Sequence, residues 1–526
     1  MKNVLLVDLG TPRDEISEPL GIETLAPYVE AALGDQVSVD VKSLELDNLE
    51  TVQPYLEQKK YAAIGLSTKI RAYDKFQRSM AATMHYASES KVFIGDILAT
   101  YAYDDVLGQY PEVICVRGEG EESFPLALKA VFEQDDARLE GISNLAFIRS
   151  GRLVETERAP FDVKKALLPK RLLTQEVLKQ HGIGRLEASR GCAYANCGFC
   201  GVIEKYAGRE WKPFPLEFIL QDLTVLSELG FISPYFTDED FFGNDTDRVT
   251  QLAGLIGEGK RAGNINRDIN LYINLRANSI LGVGFGGEEE AVKLLTQLKV
   301  AGLREVFVGI ESGCKDQLAK RYTKGVTKQK NIRAINILRD LGLEVDLGFI
   351  FFDEDSELPE LRENLNFIYE ANIARHDCQL IKRLRVEPRT PIGVKFAATH
   401  PSAKIDLNAV EYPYRFKSAA VEAIFYTFCE WQRADLDVIY NLQAFCRGEI
   451  PSGYSRQEVK GIISQYRELD VQFLDAVIAV FEDGQDNKDG RVREVIKEFA
   501  VHRNTLDSFL AQRVYWLNSN FRRFKT

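Results

Sequence analysis

Over its first 400 residues the chain alternates short β-rich runs with helical stretches, and that alternation leaves few options besides parallel sheets with crossover helices. VLLVD (4–8), VSVDV (37–41), AAIGL (62–66), VFIGD (92–96) and VICVR (113–117) read as strands. Helical spacing at 22–33, around 72–88 and at 123–133 separates them. The reading for residues 1–140 is an N-terminal doubly wound, Rossmann-like parallel sheet of five strands. NLAFIRSGRLVE (144–155) reads as a hairpin about Ser150-Gly151, bridging to the next unit, and a linker through Pro160 and Pro169 completes 141–180.

From Arg185 the alternation resumes. Strands are expected up to Ser189 and at 233–237, 269–275, 306–310, 345–352 and 379–386, with helices at 216–229, 246–262, 288–301, 328–341 and 358–371. Six such βα-type units over 181–400 predict a partial (β/α)6 barrel, whose function gathers at the carboxyl ends of its strands. Strand signals then stop. Residues 417–445 carry apolar positions at helical spacing and 485–491 form a polar break, so 401–526 reads as an all-helical C-terminal domain.

A chain of 526 residues, 45% hydrophobic, is too long for one core and should divide into two or three domains. Its formal charge of −12 disfavours a nucleic-acid partner, which needs a concentrated basic surface. No apolar run is long enough to span a bilayer, and MKNVLLVDLG reads as a buried strand, so a cytoplasmic protein without a membrane partner is expected.

Three of the eight cysteines fall within nine positions, in LEASRGCAYANCGFCG (186–201), just after a strand. Cys192, Cys197 and Cys200 are spaced as C-x4-C-x2-C. Three thiolates hold three irons of a [4Fe-4S] cubane and leave the fourth open to an outside ligand. A structural zinc would close with a fourth Cys or His, and the nearest histidine, His181, precedes the strand. Cys115, Cys314, Cys378, Cys429 and Cys446 stand singly and read as buried, inert thiols.

The cysteine loop, FTDEDFF (236–242), GIESG (309–313), KRYTKGVT (320–327), the run 345–368 and RVEPRTPI (385–392) resemble, at matching spacing, the motifs of the radical S-adenosylmethionine (SAM) superfamily, in the branch with an N-terminal cobalamin-binding domain. The resemblance covers about residues 1–400, and it implies an enzyme using a [4Fe-4S] cluster, SAM and cobalamin. The cluster spacing departs from the commoner C-x3-C-x2-C by one residue. By the motifs, Phe199 packs on the adenine; Asp238, Glu239 or Asp240 accepts from the SAM amino group; Arg276 faces the carboxylate; Glu311 binds the ribose.

In the first domain the resemblance assigns the loops of Gly10 and Thr11, Ser67 and Thr68, Gly95 and Asp96, and Gly118, Glu119, Gly120 and Glu121 to cobalamin. No Asp-x-His-x-x-Gly follows the first strand, so no histidine ligand to cobalt is expected, and Asp96 replaces a second glycine. The implied reaction is cobalamin-dependent methylation of an unactivated carbon in a small natural-product or peptide substrate, with an external one-electron reductant such as flavodoxin or ferredoxin. A radical rearrangement, cyclisation or oxidation without methyl transfer remains open, as does a non-catalytic iron-sulfur interaction protein. Catalytic side chains are not named by the sequence.

Overall fold

Val4 to Val7 are buried on both faces of the strand they form, which marks that strand as central in a sheet covered on both sides. In the computed structural model, which describes residues 1–10, 16–449 and 455–520, this is β1 (Lys2–Asp8). It lies between β2 (Val37–Ser43) and β3 (Ala63–Ser67), followed by β4 (Lys91–Gly95) and β5 (Ile114–Val116), all parallel. Leu5, Val7, Ile64 and Leu66 enter one apolar layer, and Val4, Leu6, Ala63 and Phe93 the other, as alternation along a pleated strand requires.

The sheet has seven strands where five were expected. β6 (Leu145–Arg149) and β7 (Arg152–Glu155) form the expected hairpin, but it adds antiparallel to β5 and so extends the first sheet instead of bridging onward. Ser150 and Gly151 both take positive φ (50° and 74°), the pattern of a two-residue turn that matches strand twist. The hairpin covers the short β5, which would otherwise leave an open edge.

The second sheet holds β8 (Arg185–Leu186), β11 (Tyr235–Phe236), β12 (Leu271–Arg276), β13 (Leu303–Glu311) and β14 (Glu344–Phe349), ordered β14-β13-β12-β11-β8 and parallel throughout. Between β8 and β11, β9 (Ser189–Arg190) and β10 (Lys212–Pro213) make a small antiparallel ribbon. The expected sixth strand, 379–386, is reduced to one bridge between Phe352 and Arg383, with the Phe351 and Phe352 N–H groups donating to Lys382 O (2.8 and 3.0 Å). Arg383 and Arg385 are drawn to Glu411 and Glu387, which pulls the run away from a regular ladder.

The tail is helical, as expected, with helices at Ala419–Gln432, Leu436–Arg447, Arg456–Glu482 and Lys488–Asn520. Two details differ: the stretch 417–445 breaks at 433–435, and the last helix begins inside the expected polar loop, where Asp483 pairs with Arg491. One apolar cluster runs from the barrel strands into these helices, through Phe352, Phe416, Phe428, Trp431 and Phe473, so the tail shares the barrel's core. Among the described residues no helix is long and apolar enough to cross a membrane.

Candidate active site

The ribbon β9–β10 closes the cysteine loop at its base, pairing Arg190 with Lys212. Gly191 opens the loop at φ +84°, and a Cβ there would stand 2.2 Å from Glu210 O, so the entry requires glycine. The loop is then tied to the barrel rim. Gly198 N–H donates to Tyr322 O (2.9 Å), Ile392 N–H to Gly198 O (2.9 Å), and the Thr323 hydroxyl to Asn196 O (2.6 Å). From the first domain, Tyr101 OH donates to Gly201 O (2.7 Å). Cys192, Cys197 and Cys200 are partly exposed on this fixed loop; of the five lone cysteines read as buried, Cys115, Cys314, Cys378 and Cys446 are so, whereas Cys429, on a helix of the tail, is partly exposed. Burial pushes the Cys200 thiol up to about 11 and raises the other two.

Among the described residues, no three or more His, Cys, Asp or Glu side chains converge to hold a single metal ion. A cubane spreads its thiolates over separate irons and makes no such demand. The three thiols, held by backbone bonds on both sides, fit a cluster of that kind.

The acidic strand-end residues are used unevenly. Asp238 is 1% exposed, and its carboxylate accepts from Ala188 N–H (3.0 Å) and the Ser189 hydroxyl, so it fixes the strand leading into the cysteine loop. Burial raises its pKa to about 7, against those two bonds. Asp240 accepts from Arg276 Nε (2.6 Å) and from Ala193 N–H (3.3 Å), linking the loop to β12. Glu239 accepts from Lys205 (2.7 Å) and Tyr206 OH (2.8 Å), and its buried Oε2 has no partner among the described residues. Arg276 also donates to Asn244 (2.9 Å).

Glu311 ends β13 at φ +63°, where the pairing with β14 shifts register, and its carboxylate meets Lys324 Nζ at 2.7 Å. Burial works against the Lys324 ammonium, but Glu311 and the thiols of Cys197 and Cys200 hold it above the ordinary lysine value. Lys324 Nζ also lies 5.8 Å from the Phe199 ring centroid, and Phe199 packs edge-on against Tyr322. KRYTKGVT was visible in the sequence, yet nothing there singled out its second lysine. Cys314 is packed away beside Glu360.

Two cavities meet this region. A lumen of about 700 Å³ runs inside the barrel, lined by Glu311, Tyr235, Tyr272, Phe307 and, from the helical tail, Tyr440. Of the assigned SAM residues, Glu311 lines it. Trp431, by contrast, stacks on Phe473 in the core, and Tyr426 is exposed.

A second cavity, about 310 Å³, lies beyond the carboxyl ends of the first sheet, where open α/β sheets take ligands. Ser67, Gly95, Asp96, Gly118, Glu119, Gly120 and Glu121 line it. A Cβ on Gly95 would meet nothing within 4 Å, so the backbone there is open, while Asp96 takes φ +72° and accepts from the Ser67 hydroxyl (3.0 Å). Gly10 and Thr68 are not on the wall of this cavity: Gly10 packs against Glu45, Thr68 donates to Gly95 O (2.8 Å), and Thr11 lies outside the described residues. The bare backbone at Gly95 fits a ligand approaching the strand ends, whereas Gly118 and Gly120 give room to protein neighbours, Lys205 O and the Leu25 side chain. Glu119 and Glu121 are both ion-paired to Arg190 (2.9 and 2.6 Å), which fastens this loop to the base of the cysteine loop. Nothing in the linear order of residues marks that link, or the Lys69–Asp8 pair (2.9 Å) at the cavity wall. Lys69 and Arg185 line both cavities.

A family model described as B12 binding domain matches residues 8–128. The chain is 29% identical over 292 residues to 4'-phospho-dehydrooxetanocin synthase of Priestia megaterium, covering 53% of this chain and 38% of that protein. It is 26% identical over 212 residues to hopanoid C-2 methylase of Rhodopseudomonas palustris, covering 40% and 37%. These matches thus span about two fifths of those relatives' length. Among solved structures, the cobalamin-dependent SAM radical enzyme OxsB with aqua-cobalamin and SAM bound superposes with TM-score 0.80 at 18% identity, over 97% of this chain and 80% of that one. The radical SAM methyltransferase TsrM of Kitasatospora setae, with cobalamin and [4Fe-4S] cluster bound, gives TM-score 0.62 at 17% identity, over 95% and 100%. At these identities the structural likeness is one of fold.

Proposed function

We propose that this chain, which has the fold of the B12-binding radical SAM proteins, is a cobalamin-dependent radical SAM enzyme that methylates an unactivated carbon of a small-molecule or peptide substrate. The observation that carries the reading is that Lys69 and Arg185 line both cavities of a chain whose barrel rim also anchors a loop presenting Cys192, Cys197 and Cys200. Residues 1–140 would form the cobalamin domain, 181–400 the SAM barrel and 401–526 the wall that shapes the substrate lumen.

The three thiolates would hold the cluster, Glu311 and Phe199 would contact SAM, and the loops of Ser67, Gly95, Asp96 and Gly118–Glu121 would hold cobalamin. Bound together, these groups supply one-electron cleavage of SAM and a methyl donor. The protein's own part is geometric. Asp238 and Asp240 fix the approach to the cysteine loop and its first turn, Lys324 neutralises Glu311, and the tail forms part of the lumen wall. An external one-electron donor, a flavodoxin or ferredoxin, would reach the cluster, and the cytoplasm, which keeps thiols reduced, is the compartment that suits it.

The test is anaerobic reconstitution with iron, sulfide and hydroxocobalamin, followed by SAM and a strong reductant, with products read by mass spectrometry. 5′-Deoxyadenosine together with S-adenosylhomocysteine is the expected outcome. 5′-Deoxyadenosine alone in the presence of the authentic substrate would replace methylation with a rearrangement, cyclisation or oxidation. If neither forms, and Cys200→Ala binds as much iron as the unaltered chain, the radical reading fails.

A further inference from the structure

The charges around the barrel lumen do not cancel. Each acidic side chain on its wall already has a partner: Glu311 has Lys324 (2.7 Å), Glu305 has Lys460 (3.1 Å), Asp346 has Arg447 (3.2 Å), and Glu45 is engaged as well. Lys69, on the same wall, is taken by Asp8 (2.9 Å). Two cations on this wall are different: among the described residues neither the Arg185 guanidinium, whose Nε is buried, nor the Lys382 ammonium has a hydrogen-bond or ion-pair partner, and Lys382 stands on the tail side of the lumen, beside Tyr440.

Its backbone is fixed, because Lys382 O accepts from both Phe351 and Phe352 N–H, so the side chain is delivered into the lumen beside Gln379, Tyr440 and Gln443. There it is open to water in the cavity and walled in by protein. Burial pulls its pKa below the ordinary lysine value, Asp346 and Cys378 act against that, and Arg447 and Arg467 add to it. Lys382 is exposed to the cavity, so its charge is hydrated there, and an unpaired cation on a walled lumen is the group that a bound anion would meet with a charge-assisted hydrogen bond.

We propose that Lys382 receives an anionic group of the substrate, a carboxylate or a phosphate, inside the barrel lumen. The inference rests on the reading of that lumen as the substrate site. It does not depend on radical chemistry, and its test needs no turnover. The anion supplies the counter-charge that Asp346, already held by Arg447, cannot give in full, and the surrounding amides and Tyr440 offer polar contacts around it.

The experiment is competitive acetylation of the full chain by the neutral reagent N-hydroxysuccinimidyl acetate, with Lys382 and the exposed Lys497 followed by peptide mass spectrometry. The probes are inorganic phosphate, acetate and SAM, each against chloride at equal ionic strength. At about ten times its dissociation constant, an anion that occupies the site slows labelling of Lys382 about tenfold and leaves Lys497 unchanged. Protection by phosphate identifies a phosphoryl group and protection by acetate alone a carboxylate; either supports the assignment. Protection by neither anion overturns it, and so does protection by SAM alone, which would make Lys382 part of the SAM site. Lys382→Arg, which keeps the charge, should retain phosphate binding measured by calorimetry, whereas Lys382→Met should lose it with an unchanged thermal midpoint.

Discussion

Asp238 is the residue whose replacement most sharply separates a structural role from a ligand-binding one. Its carboxyl is fully buried, and the pKa rises from an ordinary aspartate value of 3.8 to about 7 because burial disfavours the charged form. The folded chain therefore holds a proton that the opened chain has released, throughout the window between those two values. Stability from this group is complete below pH 3.8 and is lost as the pH rises through about 7. A rise of about three units at about 1.4 kcal/mol each amounts to about 4 kcal/mol, of which about 2.5 kcal/mol is lost between about pH 5 and pH 8.

Asp238→Asn should remove that dependence. The amide keeps an acceptor for Ala188 N–H and turns a donor toward the Ser189 oxygen, and Arg248 keeps its bond to Ala188 O. Hydrogen–deuterium exchange of a peptide covering 185–190, corrected for the intrinsic rate at each pH, reads the opening free energy of this segment. The unaltered chain should lose about 2.5 kcal/mol of protection from pH 5 to pH 8, while the variant stays level. Equal slopes in the two proteins would refute the reasoning, since the buried carboxyl would then not be the titrating group.

Three further outcomes follow from contacts around the same loop. Gly243→Ala should lower stability by about 2–4 kcal/mol, because the position has φ +54° and its Cβ would lie 1.9 Å from the Trp211 ring; an unchanged thermal midpoint would contradict this. Lys324→Met leaves Glu311 charged and unpaired and should cost about 3–5 kcal/mol, with Glu311→Gln in the same chain restoring at least half, as differential scanning fluorimetry can check. Asp96→Gly releases a positive-φ aspartate and removes its charge from the smaller cavity, so the dissociation constant for hydroxocobalamin, measured by equilibrium dialysis, should fall severalfold.

What could be read from the sequence was what is local along the chain. The helices at 216–229 and 246–262 ended where expected because Gly230 and Gly263, both in the left-handed region, stop them, and Asp245 caps the start of the second. The cysteine loop was equally legible, since its three thiols lie within nine positions. The sixth strand misled because its alternation of charge is satisfied by ion pairs with Glu411 and Glu387, partners that no periodicity reveals.

The same holds, more consequentially, at the site. Lys324 reaches back 13 positions to Glu311, Arg190 reaches 71 to Glu119, and Asp238 reaches 50 to Ala188. Each pair joins a strand end to a loop that only the folded barrel brings near. A motif can name the groups that touch a cofactor, because they cluster in sequence around one strand end. The charges that neutralise and fix those groups come from other strands, and their identity is decided by desolvation, which has no linear signature. Lys382 is the same principle in the opposite sense: its sequence context, after Leu380 and Ile381 and before Arg383 and Leu384, is that of an ordinary strand lysine. Its lack of a counter-charge becomes visible only when every acid around the lumen is found already taken.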